Sequence, residues 1–505
     1  MNTFMENLTN ANNFTRTANG ALAHKSTRSM VYDMFALGGA YRQRTDADCI
    51  LLFKNALEEN EELAMKCLFY LRDCRGGQGE RRFFRACFKW LAMSEYVDVA
   101  RRNLDNLSEY GRWDDLIYTC VDTQLEKEAL EIIKKQLYLD AQCKTPSLLA
   151  KWLPSENASS KETVRMGGIV RKYLGISHKE YRKILSLLRE RINIVERLMS
   201  ANRWDEIEFD KIPSKAGLIY KNAFARRDII AKKYEVFAKS EKTTVNAKTL
   251  YPYEVVHKAV EGTNAWSYSF RHISDTDRAM IEKYWTNLPD YLNGKDCKMM
   301  CVVDTSGSMT GSKADAPINV AIALGMYCAE RVGGPFKNHY ISFSSRPQLI
   351  KIEGVDFVDK VRRIYRTNLC ENTNIEATFD MLLNIAKHPS TKAEDIPETI
   401  VIISDMQIDS GSYYWRQSTA DTEMEKIRQK WNAAGFKCPK LVYWNVNASK
   451  NTILDNGMDV TFVSGCSPVI FEQVLTGVTG YQLMLDKLMS KRYEAVKSNK
   501  KMGEN

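Results

Sequence analysis

Cys297-Lys298-Met299-Met300-Cys301-Val302-Val303-Asp304-Thr305-Ser306-Gly307-Ser308-Met309 decides how the second half of this chain is read. A short, nearly continuous apolar run ends in a carboxylate, and D-x-S-x-S follows at once. An uninterrupted run of this kind suits a strand buried on both faces of a parallel sheet. A carboxylate and two hydroxyls in alternation can converge from a tight loop on one hard cation. Oxygen-only ligands suit Mg²⁺ or Mn²⁺ rather than Zn²⁺. Gly307, between the serines, lets the backbone turn closely. Hydroxyls are neutral ligands, so the ion keeps positive charge and can accept a carboxylate from outside.

Working outward, further strands are predicted at 339–344, 399–405, 440–446 and 459–463. Helical segments fall near 315–331, 356–365, 374–388, 421–434, 468–475 and 480–495. Short apolar strands alternating with helices predict a doubly wound parallel-sheet α/β domain over 296–495. Ligands bind at the carboxyl ends of strands in such folds. Two other strand ends offer donors to the same place. Residues 399–405 end in Ser404-Asp405, and the loop 370–374 (Cys-Glu-Asn-Thr-Asn) offers the Thr373 hydroxyl.

This set resembles the metal-ion-dependent adhesion site of von Willebrand factor A domains: a D-x-S-x-S loop, then a Thr, then an Asp, in that chain order. The resemblance implies a Rossmann-like A domain. It implies that Asp304, Ser306, Ser308 and Thr373 coordinate Mg²⁺ (or Mn²⁺) directly or through water, and that Asp405 does so too. It also implies a protein partner that presents an acidic residue to the metal. Other chemistries fail on residues. Haloacid-dehalogenase-like phosphotransferases need D-x-D where Ser306 stands, and Lys313 does not follow Gly311 as a P-loop requires. His339, the one histidine at a neighbouring strand, begins that strand and so lies at the wrong end to activate Ser306. No general base stands beside the metal loop, and no enzyme activity is expected.

The first half reads as helical. Residues 46–72 place apolar side chains at three- and four-residue steps, and further helices are predicted near 80–93, 95–108, 122–137, 178–200 and 215–237. The first proline is Pro146. Helices in series without strands between them predict a bundle or a helical-repeat solenoid. The organisation expected is an N-terminal extension (1–30), a helical domain (31–240), a connector (241–295), the α/β domain (296–495) and a frayed tail (496–505).

Composition narrows the partners. The chain has 505 residues, 44% hydrophobic and 27% charged, which suits a globular protein. Twelve cysteines without a CxxC pair and six histidines argue against zinc and against a disulfide framework. No stretch approaches the ~18 apolar residues of a membrane span, and the N-terminus lacks a secretory pattern, so a cytoplasmic address and no membrane partner are expected. The net charge is +9. Residues 151–250 alone hold 22 Lys+Arg against 12 Asp+Glu, a surplus of 10. That local surplus suits either a polyanionic partner or a solvated helical face.

Two motifs mark the helical half. Arg72-Asp73-Cys74-Arg75-Gly76-Gly77-Gln78-Gly79-Glu80-Arg81-Arg82 is a glycine turn with four arginines. These guanidiniums could hold a phosphate, or pair with nearby acids to fix a helix corner. Gly111-Arg112-Trp113-Asp114-Asp115-Leu116 follows, with a faint echo at Asn202-Arg203-Trp204-Asp205-Glu206-Ile207. These motifs, followed by the A-domain pattern, resemble TROVE-domain proteins, the Ro ribonucleoproteins. The chain looks closer still to an uncharacterised family of the same layout in plants, bacteria and large viruses. Lys151-Trp152-Leu153-Pro154-Ser155, Arg165-Met166-Gly167-Gly168 and Tyr181-Arg182-Lys183 match that family's later pattern. The Ro resemblance implies an RNA-binding scaffold for small structured or single-stranded RNA. It assigns a candidate role to Arg165, Lys172, Lys179, Arg182, Lys183, Arg189 and Arg191, interleaved with Tyr173 and Tyr181. Cations beside rings suit backbone contact with base stacking. The alternative is a protein-only adaptor that captures an acidic partner residue on its Mg²⁺ without RNA.

Overall fold

The computed structural model describes residues 12–192, 194–262, 269–295, 297–367, 373–409, 423–454 and 460–499. The chain packs into two compact units, an α/β unit and an all-helical unit. Residues 1–45 join 250–488 in the first, and 46–249 join 489–505 in the second.

The α/β unit opens with an antiparallel hairpin, β1 (Phe14–Arg16) and β2 (Leu22–His24). Its main sheet has β3 (Met299–Asp304), β4 (His339–Phe343), β5 (Leu349–Lys351), β6 (Thr399–Ser404), β7 (Lys440–Asn445) and β8 (Val460–Ser464), in the order β5-β4-β3-β6-β7-β8. All neighbours are parallel except β4 and β5. The five long strands lie close to the expected positions because their side chains are buried on both faces. The antiparallel strand β5 was not expected. It is a three-residue, solvent-facing edge whose pattern carries no apolar run. Residues 421–422 and 459, inside expected elements, lie outside the described residues.

Helix Pro317–Arg331 is buried almost throughout and lies directly on β3. Gly325 permits this: a Cβ there would stand 2.4 Å from a Val303 methyl. Helices Pro252–Val260 and Asp275–Thr286, in the segment expected as a connector, belong to this unit's helical cover. Arg278 holds Asp356 with two 2.7 Å bonds, and Trp285 stacks on Phe357 at 4.3 Å. Helix Met30–Leu37, a helix not expected from sequence and lying at the start of the expected helical domain, packs here instead. The Phe462 amide donates to the Tyr32 hydroxyl at 3.1 Å, and the Gly39 amide donates to Ser464 Oγ at 3.0 Å.

In the helical unit, the expected 46–72 helix divides into Asp46–Glu59 and Glu61–Arg72. Asn60 caps the second piece, its side chain accepting the Leu63 amide at 2.9 Å, while the apolar face runs through the break. Helix Lys161–Leu174 escaped the periodicity because Gly167 and Gly168 interrupt its pattern. Gly167 is needed for packing, since a Cβ there would lie 2.9 Å from the Pro154 carbonyl. Residues 178–200 form two helices, His178–Arg191 and Val195–Ser200.

The last described residues return to the helical unit. Arg492 clamps the buried Asp73 at 2.8 and 3.0 Å, and Tyr493 donates to it at 3.2 Å. Asn103 pairs with both the amide (2.9 Å) and the carbonyl (2.8 Å) of Lys497. Val496, placed by sequence in a frayed tail, is buried.

Candidate metal-binding loop and cationic helix face

Asp304 ends β3 at the carboxyl edge of the sheet and is wholly buried. Its Oδ1 accepts the Ser306 amide at 2.8 Å, and its Oδ2 accepts the Ser404 hydroxyl at 2.5 Å. The Ser306 and Ser308 hydroxyls stand 3.2 Å apart, with Ser306 buried and Ser308 exposed at the mouth. Asp405, 2% exposed, follows β6; its Oδ1 accepts the Gln407 amide at 3.1 Å. Burial, with repulsion from Asp405, pushes the Asp304 carboxyl up to about 6, against the pull of the Ser404 and Ser306 hydrogen bonds. Burial also raises Asp405, although the Gln407 amide and the Ser308 hydroxyl hydrogen-bond to it. Neighbouring hydroxyls and amides thus leave two carboxylates short of positive charge.

Thr373 is buried beside this strand end. Its hydroxyl donates to the Gln407 carbonyl at 3.2 Å, and its amide to Asp409 Oδ2 at 2.8 Å. Residues 370–372 of its loop lie outside the described residues. Asp304, Ser306, Ser308 and Asp405 are therefore joined by contact, with Thr373 two residues' reach from Asp405. The donor set is oxygen only and fits a hard divalent cation. No cluster of three or more His, Cys, Asp or Glu occurs among the described residues, so the fit depends on the hydroxyls. His339 is the first residue of β4, while Asp304 pairs with Phe343 at that strand's other end.

Two supports were not legible in the sequence. Ser404 bridges Asp304 Oδ2 and the amide of Met406, which adopts φ 62°. That left-handed turn costs about 1 kcal/mol or more for a side chain such as methionine. The turn between β1 and β2 braces the following residues. Thr17 Oγ1 donates to the Ile408 carbonyl at 2.6 Å, the Ala18 amide to Gln407 Oε1 at 2.7 Å, and Asn19 Nδ2 to the Gln407 carbonyl at 2.6 Å. Residues nearly 400 positions apart cannot announce such contacts by spacing.

The basic candidates divide. Arg189 is held inside the helical unit by the Ala150 carbonyl (2.8 Å), Ser155 Oγ (3.0 Å) and the Leu153 carbonyl (3.0 Å). Arg165 pairs with Asp122 and Glu162, each at 2.9 Å. Arg191 donates to the Ala141 carbonyl at 2.9 Å. Lys172, Lys179, Arg182 and Lys183 are exposed, and none makes an ion pair among the described residues. Lys179, Arg182 and Lys183 share one face of helix His178–Arg191, opposite the buried Tyr181, Leu185 and Leu188. The interleaved rings are not free platforms: Tyr181 donates to the Pro154 carbonyl at 2.9 Å, and Tyr173 to Glu131 at 3.0 Å.

The arginine-rich turn resolves toward ion pairing. Arg72 binds Asp115 at 2.7 Å, Arg82 binds Asp46 at 2.8 Å, and Arg75 donates to the Glu109 carbonyl. Gly77 is obligatory, since a Cβ would meet the Tyr70 carbonyl at 2.1 Å.

Residues 17–117 and 124–296 match the family described as Domain of unknown function (DUF2828), and residues 298–503 match Domain of unknown function (DUF7788). The chain is 28% identical to Uncharacterized protein L728 of Acanthamoeba polyphaga mimivirus, over 92% of this chain and 85% of that protein. Among solved structures it is similar to the crystal structure of the Deinococcus radiodurans RO (RSR) protein, with TM-score 0.41 and 11% identity. That match covers 92% of this chain and 99% of the other. No helix among the described residues is long and apolar enough to cross a membrane.

Proposed function

The chain belongs to the family described as Domain of unknown function (DUF2828), and from that premise we propose that it is a non-enzymatic RNA-binding scaffold with a metal-dependent, protein-binding A domain. One observation carries the RNA reading. Arg72, Arg85 and Arg189 in the helical unit are consumed by carboxylates and carbonyls, whereas Lys172, Lys179 and Lys183 stand exposed and outside any ion pair among the described residues. Such cations suit phosphate contacts, which fix a polynucleotide without reading its bases.

In the α/β unit, Asp304, Ser306, Ser308 and Asp405, with Thr373 beside them, would hold Mg²⁺ or Mn²⁺. The bound ion would supply a positively charged seat for an acidic side chain of a protein partner. Ser404 fixes the Asp304 carboxylate through a 2.5 Å bond, and Gln407 fixes Asp405. A cation bound there would offset the repulsion between the two buried carboxylates.

The test is binding of single-stranded and hairpin RNA to the full chain at about 0.1 M salt, where phosphate contacts still hold. The combined K179E/R182E/K183E variant should bind much more weakly and with a shallower salt dependence. Unchanged affinity, or affinity indifferent to salt, overturns the RNA reading. A second reading, the protein-only adaptor, is favoured by the hydroxyl-lined carboxylate pair, which needs no RNA to act. It predicts partner capture that chelator abolishes in nuclease-treated protein. A folded Asp304→Ala variant that still captures the same partner would exclude it.

A further inference from the structure

We infer that Tyr138 is a base-stacking platform for single-stranded RNA, at the carboxyl end of helix Glu126–Gln142. This rests on the RNA-binding reading and narrows it to unpaired RNA and to one ring. Tyr138 is 68% exposed and Leu139 is 53% exposed, an uncommon pair of large apolar neighbours on a solvated helix. Lys134 and Lys135 precede Tyr138 by four and three residues, so all three occupy one helix surface. Both lysines are exposed and in no ion pair among the described residues.

The patch continues onto the helix that carries Lys179, Arg182 and Lys183. Arg191 reaches across to the Ala141 carbonyl at 2.9 Å, one turn beyond Tyr138. One turn before Arg191 lies Leu187, 48% exposed, and one turn before that lies Lys183. The buried acid of this region is turned inward. Asp140 accepts the Ser147 amide (3.0 Å), the Ser147 hydroxyl (2.7 Å) and Gln136 Nε2 (2.8 Å). Its oxygens are therefore turned to internal donors, and Asp140 is 1% exposed. The exposed Glu190 stands 3.9 Å from Arg203, which offsets its charge.

Four other aromatic rings of the basic stretch are engaged. Tyr181 and Tyr173 are hydrogen-bonded, Arg112 covers Trp152, and Arg227 covers Trp204. Tyr138 alone among these five has both an open face and lysines on its own helix surface. A flat ring flanked by flexible cations suits a base stacked between two phosphate contacts, and a duplex, whose bases are already stacked, would gain nothing from it.

The experiment is fluorescence anisotropy of a labelled single-stranded oligouridylate with the full chain at about 0.1 M salt. A duplex RNA and polyglutamate serve as competitors. Tyr138→Ala should weaken single-strand binding by about 5- to 150-fold, the range for removing one stacked base. Tyr138→Phe, which keeps the ring, should bind like wild type. Both variants should melt with the wild type, because the side chain lies in solvent. If wild type binds but Tyr138→Ala binds equally well, the platform is wrong and the RNA reading survives. If wild type does not bind, both fall. Equal loss on duplex RNA, or competition by polyglutamate as strong as by RNA, also overturns the platform.

Discussion

Two buried acid clusters in this chain have opposite electrostatic fates. In the helical unit, Asp115 is fully buried and met by Arg72 at 2.7 Å, Arg85 at 2.7 Å and the Arg112 amide at 2.9 Å. Burial pushes its carboxyl up, but Arg72 and Arg85 outweigh that and hold it below the ordinary range. In the α/β unit, Asp304 is just as buried, yet the charge that acts on it is that of another carboxylate, Asp405. The first cluster is neutralised within the chain and acts as structure. The second is left incomplete, at the strand ends where this class of fold binds ligands. Buried charge marks function only where the protein itself withholds the counter-charge.

The largest expected effect comes from breaking the completed cluster. Asp115→Asn should cost about 3–5 kcal/mol, as for removing one partner of a buried ion pair, because Arg72 stays buried without its anion. Urea denaturation should show this as a lower midpoint. A loss within the range of surface substitutions would mean the cluster is not saturated. Asp304→Asn should behave in the reverse way. In chelator it should be as stable as wild type or more so, since it removes repulsion. With Mg²⁺ at a hundred times its Kd, wild type should gain about 2.7 kcal/mol and the variant nothing. A variant that gains as much as wild type would take the ion away from this loop.

The smallest effect is a pH dependence. The folded pKa of Asp115 lies below its ordinary value of 3.8. Its contribution is therefore complete above that value and is lost as pH falls through the depressed one. The stability gap between wild type and Asp115→Asn should be flat from pH 7 to about 5 and narrow below about 4. A gap that narrows already between 7 and 5 would assign the effect to another group.

Much of this contrast was legible in the sequence, for identifiable reasons. The D-x-S-x-S loop announced itself because Asp304, Ser306 and Ser308 alternate at the end of an apolar strand. The four strands of the main sheet other than β3 and β5 stood out for the same reason: burial on both faces leaves no polar alternation. The antiparallel β5 did not, because its three residues face solvent. Asp405 was placed beside Asp304 from sequence, but the individual hydrogen bonds and ion pairs were not. Ser404 lies 100 residues from Asp304, and Arg72 lies 43 from Asp115. Charge counts located the basic stretch but could not show that Arg189 spends its guanidinium on three internal oxygens. Nor could they show that Tyr138, outside the stretch, carries the open ring.

The return of residues 489–497 to the helical unit also bears on synthesis. The segment that neutralises Asp73 leaves the ribosome some 250 residues after the helical unit's own last helix. At about 5–20 residues per second, that unit waits on the order of tens of seconds with a buried acid uncapped. The hairpin of residues 14–24 waits similarly for the strand end it braces. Cutting the chain at residue 249 to express either half would strand both closing segments on the wrong fragment.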